Sequence, residues 1–446
     1  MPSLALSMIV KNAVPGLREC LASVRGLVQQ MVVADTGSTD GTPELARSLG
    51  AEVIEIPWQD HFAQARNLAL QVVKTDWVLV LDDDEELDAG SFRHVAAWLQ
   101  DQEVGGYLVP HRNYLPSRFD QGVYGALAKP NRSNLPRARN APACLDMPVC
   151  RLFRRRPEIC FAGRVHELVE PSIEASGWKL GHAANLLIHN FGALNGRGTD
   201  PAKHEYYRRL GRLKVQDSPE DAQAWMELGL QEYQHFKDYT AATSCFTRAL
   251  GLRNCPPFVY TSLAKLYMET GSSDRALRLL EEPGANHRLI AGEREDLRGD
   301  ALYNLGRPGE AQRCYRAALR LLHENPLIES KLGLTEVRLG EIGAGTARLT
   351  RALQSAPEVF EVHDRLIKAY VAAQMLPQAA EAAERLLSGF GHPKVFVRAA
   401  SIRFRLGDYA AAAGHVERGL ELFPDSPELL QARAELQQAQ PAPSGD

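Results

Sequence analysis

The stretch Trp77-Val78-Leu79-Val80-Leu81-Asp82-Asp83-Asp84-Glu85 constrains the fold more than any other part of the chain. An unbroken apolar run of this length suits a strand covered on both faces, as in a parallel sheet lying between helices. Carboxylates directly after such a strand sit at the C-terminal edge, where open α/β sheets bind ligands. Like charges this close repel, and a divalent cation with hard oxygen ligands is a natural counter-charge. If strand geometry continues, Asp82 and Asp84 point the same way. Taken alone, the stretch reads equally well as a solvated acidic turn.

Its surroundings alternate in kind. Leu4–Val10 reads as a first strand, and Leu17, Cys20, Leu21, Val24 and Leu27 follow at helical spacing after Pro15. Met31–Ala34 reads as a second strand running into Asp35-Thr36-Gly37-Ser38-Thr39-Asp40-Gly41. Thr42 is placed to cap the next helix, with Pro43 at its first position and Gly50 as its stop. Glu52–Ile56 is a third strand, Phe62–Lys74 a helix carrying Arg66 and Asn67, and Trp77–Leu81 the fourth strand. Strands alternating with helices in this way predict a doubly wound parallel nucleotide-binding half.

Residues 110–156 differ in texture, with many Pro and Asn and little periodicity. Ten Lys and Arg against two Asp give residues 111–156 a local charge of +8, which suggests a long functional loop on the acceptor side. Short strands are expected at Cys150–Arg154 and Phe161–Glu167, and a further apolar run at Leu186–Gly192. Over the whole 446 residues the net charge is −4, which implies no general attraction to nucleic acid or membrane. The seven cysteines form no CxxC pair or metal-ligand spacing and read as thiols of a reducing compartment. With no basic signal-peptide start and no apolar run near the ~18 residues of a membrane span, the expected location is cytoplasmic, with any membrane contact peripheral at the inner face.

From about residue 200 the strand pattern stops, and a linker helix is expected over 199–221. Ala311, Gly345, Ala379 and Ala413 then recur every 34 residues, and Leu302, Glu336, Tyr370 and Phe404 keep the same register. Gly299 and Gly333 are likewise 34 apart. Small residues at such positions let two helices cross closely, and large ones fill between them. The period and pattern resemble the tetratricopeptide repeat, with about six repeats over 222–430 and a disordered tail over 431–446.

Four features in order make roughly residues 3–195, within an expected domain 1–198, resemble a family 2 glycosyltransferase of GT-A fold. They are Met8-Ile9-Val10-Lys11-Asn12, Val33-Ala34-Asp35-Thr36-Gly37-Ser38-Thr39-Asp40, Ala65-Arg66-Asn67 and Leu81-Asp82-Asp83-Asp84-Glu85. The closest likeness is to the branch fused to tetratricopeptide repeats, which also matches Gly163-Arg164-Val165-His166-Glu167 and Ile188-His189-Asn190. Ala13 departs from that branch, which has an acid there. The fold class so implied is an α/β Rossmann-like GT-A domain followed by an all-α repeat array. The implied reaction is inverting transfer of a sugar from a nucleotide donor, UDP-linked by expectation, to a glycan, lipid-linked or peptide acceptor.

The resemblance also implies roles. Asp35 accepts a hydrogen bond from the nucleotide base, Arg66 lies near base and phosphates, and Asp82 faces the ribose. Asp84 holds Mg²⁺ or Mn²⁺ bridging to the donor diphosphate, and His189 completes the metal shell. Glu167 is the general base, and His166, Asp83 and Glu85 are supporting positions. The repeats imply a protein or peptide partner on their concave face. Two other classes compete. One is a non-catalytic repeat scaffold with a degenerate donor domain, which the intact Asp35, Asp82, Asp84 and Glu167 argue against. The other is a haloacid-dehalogenase-type phosphatase, which would carry its aspartate pair on the first strand rather than the fourth.

Overall fold

The computed structural model describes all residues except 1, 117–128, 196–199, 285–290, 324, 358, 390–391 and 440–446. Two compact units divide the chain, Met1–Cys255 and Pro256–Asp446.

The first unit is built on a mixed sheet of order β3-β2-β1-β4-β8-β6-β10-β5. β1 (Leu4–Val10), β2 (Gln30–Asp35), β3 (Glu52–Glu55) and β4 (Trp77–Val80) are the four expected strands. They run parallel, with Leu4 opposite Trp77 and Val10 opposite Asp35. Helices α1 (Val14–Ser23), α2 (Thr42–Ser48) and α3 (Phe62–Val72) connect them. The unbroken apolar run of β4 is explained by its alternation. Trp77 and Leu79 join Leu4, Leu6, Met8 and Leu17 on one face, whereas Val78 and Val80 join Ala5, Val32, Ala34 and Phe153 on the other.

Beyond β4 the structure departs from the sequence expectation. Residues 110–156 are not chiefly a loop. β6 (Val104–Leu115) and β8 (Ala143–Arg154) form a long antiparallel ladder, and β8 pairs antiparallel with β4. β7 (Lys129–Pro130) adds to β8, and residues 117–128 lie outside the described residues. Much of the segment's positive charge is spent within the domain. Arg112 and Lys129 pair with Asp146, Arg137 with Glu86, and Arg154 lies over the Trp77 ring at 4.6 Å. β5 (Glu85–Leu87) and β10 (Ile188–Asn190) pair antiparallel, with Glu85 opposite Asn190. β9 (Lys179–His182) runs beside β6, α4 (Phe92–Trp98) follows β5, and α5 (Glu170–Ala175) precedes β9. Phe161–Glu167 is a tight loop closed by a single bridge from Ala162 to Leu168, not a strand.

Three helices complete the unit: α6 (Pro201–Asp217), α7 (Ala222–Gln234) and α8 (Tyr239–Leu250). The expected boundary at residue 198 therefore does not separate compact units. The second unit continues with helix pairs α9 (Pro257–Glu269) and α10 (Ser273–Glu281), α11 (Ala291–Asn304) and α12 (Pro308–Leu322), and α13 (Pro326–Arg338) and α14 (Ile342–Ser355). α15 (Phe360–Ala372) and α16 (Leu376–Gly389), α17 (Pro393–Arg405) and α18 (Tyr409–Leu422), and a last helix α19 (Pro427–Ala439) follow. α19 covers residues expected to be disordered tail, and 440–446 lie outside the described residues.

The 34-residue glycine register has a steric cause. A Cβ on Gly299 would come 2.5 Å from the Tyr315 ring, and one on Gly333 would come 2.9 Å from the Gly345 carbonyl oxygen. Backbone cannot move aside as a side chain does. Gly333→Val is therefore expected to destabilise the helical unit by roughly 1–3 kcal/mol. The measurement is urea unfolding followed by far-UV circular dichroism, and an unchanged midpoint would mean that the α13–α14 crossing is looser than drawn.

Candidate functional site

The C-terminal edge of the parallel strands is stitched together by short loops. After β1, the Asn12 N–H donates to Ser38 Oγ at 2.8 Å, and Asn12 Oδ1 accepts from the Thr39 N–H at 2.8 Å. Thr42 does not cap α2. Its hydroxyl oxygen accepts from the Ala13 N–H at 2.8 Å and donates to Asp40 Oδ1 at 2.5 Å, tying the ends of β1 and β2 together. Asp35 ends β2 as a buried carboxylate. Its Oδ2 accepts from the N–H groups of Gly37 and Ser38 at 3.1 and 3.0 Å, whereas Oδ1 is buried with no partner among the described residues. Asp35 lines a cavity of about 610 Å³ with Gly37, Thr39 and Ile56.

A second cavity, of about 560 Å³, is lined by Lys11, Thr36, Arg66, Asp82, Asp83, Asp84, His166, Glu167 and Asn190, among others. The centre of its wall is one guanidinium. Arg66 projects from α3 and donates through Nε to Glu167 Oε1 at 2.5 Å and through Nη2 to Asp82 Oδ1 at 2.8 Å. Its Nη1 is buried without a partner among the described residues. A second arginine, Arg151 on β8, donates through Nη2 to Asp82 Oδ2 at 3.0 Å and to Glu85 Oε1 at 2.7 Å. In the sequence Arg151 is one of the ten basic residues of 111–156, with no role of its own. The signal that finds it is strand alternation, since Arg151 lies opposite in facing to Leu152 and beside the acidic end of β4.

Glu85 is completely buried and does not line the cavity. Its Oε2 accepts from the Asp82 N–H at 3.0 Å, and the Glu85 N–H donates to the Asp82 carbonyl at 3.1 Å. Glu85 thus closes the Asp82–Glu85 turn on itself, and His111 Nε2 holds Oε1 at 2.7 Å from beneath. α1 leaves room for the turn because a Cβ on Gly16 would collide with the Asp83 carbonyl oxygen.

Asp84 is fixed from the other side. Its carbonyl accepts from the Phe191 N–H at 3.0 Å, and a Cβ on Gly192 would come 2.6 Å from Asp84 Oδ2. His189, expected to complete a metal shell with Asp84, is not brought to this cavity. Alternation along β10 sends Asn190 to the cavity and His189 the other way. The His189 ring nitrogens there meet Tyr114 Oη at 2.9 Å and Asp88 Oδ2 at 3.2 Å.

No cluster of three or more His, Cys, Asp or Glu able to hold a metal ion exists among the described residues. Asp82 is already committed to two arginines. Among the described residues the carboxylates at this cavity therefore do not make an all-protein metal cage.

Comparison with known proteins agrees with this architecture. The family model of glycosyl transferase family 2 matches residues 6–160, that of a tetratricopeptide repeat-like domain residues 229–338, and that of the tetratricopeptide repeat residues 393–436. The chain thus carries a family 2 glycosyltransferase domain followed by tetratricopeptide-like repeats. A TPR repeat-containing protein of Synechococcus elongatus is 31% identical over 51% of this chain and 52% of its own length. An uncharacterized glycosyltransferase of Rickettsia bellii is 38% identical over 18% of this chain and 27% of its own. The chain spans about half the length, or less, of these curated relatives. A solved tetratricopeptide repeat protein from Parabacteroides merdae overlaps 55% of this chain and 97% of its own, at 13% identity and a TM-score of 0.45.

The charges of the site predict its response to acid. Burial alone would raise the Asp82 carboxyl, but Arg66 and Arg151 outweigh it and hold the group well below the usual carboxylate range. Burial also acts against Glu85, yet Arg151 and His111 lower it despite the Asp82 charge. Carboxyls lowered on folding add stability above their unfolded values, about 3.9 for Asp and 4.3 for Glu, and lose it as the pH falls below them. Urea stability is accordingly expected to draw a constant contribution from this pair between pH 7 and 5 and to lose it below about pH 4. Arg151→Met leaves both carboxylates short of a cation and should lower stability at pH 7 by roughly 3–5 kcal/mol. An unfolding midpoint equal to that of the wild type would contradict this account of the cluster.

Proposed function

We propose that this protein is an inverting glycosyltransferase that moves a sugar from a UDP-linked donor to a hydroxyl of a glycan, lipid-linked or peptide acceptor. The observation that carries the reading is the Arg66 guanidinium, which holds Asp82 and Glu167 on one cavity wall beside Asp83 and Asp84. The base-binding role of Asp35 is supported by its buried and unpartnered Oδ1, which a base N–H would satisfy. Lys11 brings positive charge to the cavity lined by Asp82–Asp84 and suits a diphosphate.

In the proposed reaction the acceptor oxygen attacks the anomeric carbon as the bond to the nucleoside diphosphate breaks. The acceptor proton passes to Glu167, whose Oε1 is oriented by Arg66 and whose Oε2 has no hydrogen bond among the described residues. Asp84 would hold Mg²⁺ or Mn²⁺, and the ion would supply neutralisation of charge on the departing diphosphate. His166 stands beside Glu167 on the cavity and is a supporting position. No helix among the described residues is long and apolar enough to cross a membrane. A cytoplasmic setting, with any membrane contact peripheral, belongs to this proposal, as does a peptide partner on the repeats.

The test is thermal shift of the whole chain against UDP-, GDP- and dTDP-sugars, with and without Mn²⁺. Stabilisation is expected from a UDP-sugar with metal, and its loss in Asp84→Ala. Glu167→Gln should keep donor stabilisation while turnover falls about 10²- to 10⁴-fold. Equal stabilisation of Asp84→Ala would remove the metal assignment, and full turnover by Glu167→Gln would remove the base.

A further inference from the structure

We infer that helix α6 is a working part of the transfer site, with Lys214 the positioning residue that fixes the Glu167 loop. The inference rests on the proposed role of Glu167 as base. It gives a function to a helix that reads in sequence as a linker and that lies beyond the residues matched by the transferase family model.

The loop that carries Glu167 has little regular structure of its own. Ala162 and Leu168 close it through paired backbone bonds of 2.9 and 3.0 Å. Between them, Gly163 at φ +101° and His166 at φ +52° both occupy the left-handed region. A non-glycine residue there persists only where its surroundings hold it. Besides the side-chain bond from Arg66 to Glu167, two outside groups donate to the carbonyls of this loop. The Phe62 N–H, at the start of α3, donates to the Arg164 carbonyl at 2.9 Å. Lys214, on α6, donates through Nζ to the Val165 carbonyl at 2.9 Å.

Lys214 is itself buried, and its charge is met by Glu227 Oε2 on α7 at 2.7 Å. Gln223 Nε2 in turn donates to Glu227 Oε1 at 2.9 Å. A buried ion pair is a weak source of net stability, because desolvation of both charges offsets their attraction. What this pair provides is an ammonium aimed at one carbonyl two residues before Glu167. Arg164 adds a second tie to α6 through Asp217 at 2.7 Å. Gly163 packs against the lysine, and its φ of +101° is what disfavours a side chain there.

α6 also forms part of the cavity wall. Lys203, Tyr206 and Tyr207 line it together with Asp82–Asp84. Tyr206 is fixed by donating its hydroxyl to Asp60 Oδ1 at 2.7 Å while accepting from Trp58 Nε1 at 2.7 Å. The Tyr207 phenol is pushed up to about 12, first by burial and then by the charges of Glu167 and Asp82, which agrees with its standing over the two acids. One helix therefore supplies a cavity wall on its first turns and the anchor of the base-bearing loop on its last.

The experiment uses the full chain and the variants Lys214→Met, Lys214→Arg and Glu227→Gln. UDP binding is read by tryptophan fluorescence, UDP-sugar turnover by UDP release, and loop order by hydrogen exchange of the 163–168 amides. In Lys214→Met the UDP Kd and donor KM should stay within about twofold while kcat falls about 10- to 100-fold, the effect expected of a misplaced group. Exchange at 163–168 should rise, and Lys214→Arg should recover part of both. Turnover within twofold of the wild type, or a parallel loss of binding and turnover with a lowered Tm, would overturn the inference. If Lys214→Met does not fold, Glu227→Gln supplies the same comparison. If the wild type turns over no nucleotide sugar, the proposed function fails, and the exchange data still judge whether Lys214 orders the loop.

Discussion

Two arginines set the form of the site. Arg66 and Arg151 bring the buried Glu85 and the cavity-lining Asp82 and Glu167 into one cluster, and removing either cation would leave carboxylates close together without a counter-charge. Charge repulsion within Asp82–Glu85 is thus answered by the protein itself on the strand side. Asp83 and Asp84 line the cavity beside it. The four acids divide according to their neighbours. Glu85 is buried and closes the turn, Asp82 is shared between arginines and cavity, and Asp84 is held by the main chain at Phe191, just beyond β10.

The same cluster explains the mixed sheet. β8 must run beside β4 for Arg151 to reach Asp82, and its antiparallel course places Leu152 opposite Leu79. β10 must lie between β6 and β5 for Asn190 to face Glu85. These added strands convert an open parallel edge into a walled cavity. α6 closes a further side, so the sheet and the first helices after it form one compact unit ending at Cys255.

Much of this was legible in the chain. The strand and helix alternation over residues 4–81 and the 34-residue register are local periodicities, and both follow from burial on a repeating face. Asp35, Arg66, Asp82, Asp83, Asp84, His166 and Glu167 were all legible as a set, and the fold gathers all but Asp35 on one cavity, with Asp35 one residue from its edge at Thr36. His189 turns away from the cavity because one step along a strand reverses the side chain. The 110–156 segment was misjudged because Pro and Asn masked a ladder whose partner strand lies tens of residues away. His111, Lys214 and Tyr207 carried no local signature.

The sequence by itself determined the two kinds of architecture, the edge at which a ligand site forms, and the residue types available there. Tertiary structure decided which acid meets which cation. Arg151 reaches Asp82 across 69 positions of chain, Arg66 reaches Glu167 across 101, and Lys214 reaches Val165 across 49. No periodicity encodes such pairs. They depend on the register of β8 against β4 and on the packing of α6, and both are set by buried contacts made far from the charges themselves. The acidic end of β4 is therefore a site by its position in the sheet, and each of its carboxylates has a role only through the partner that the fold brings to it.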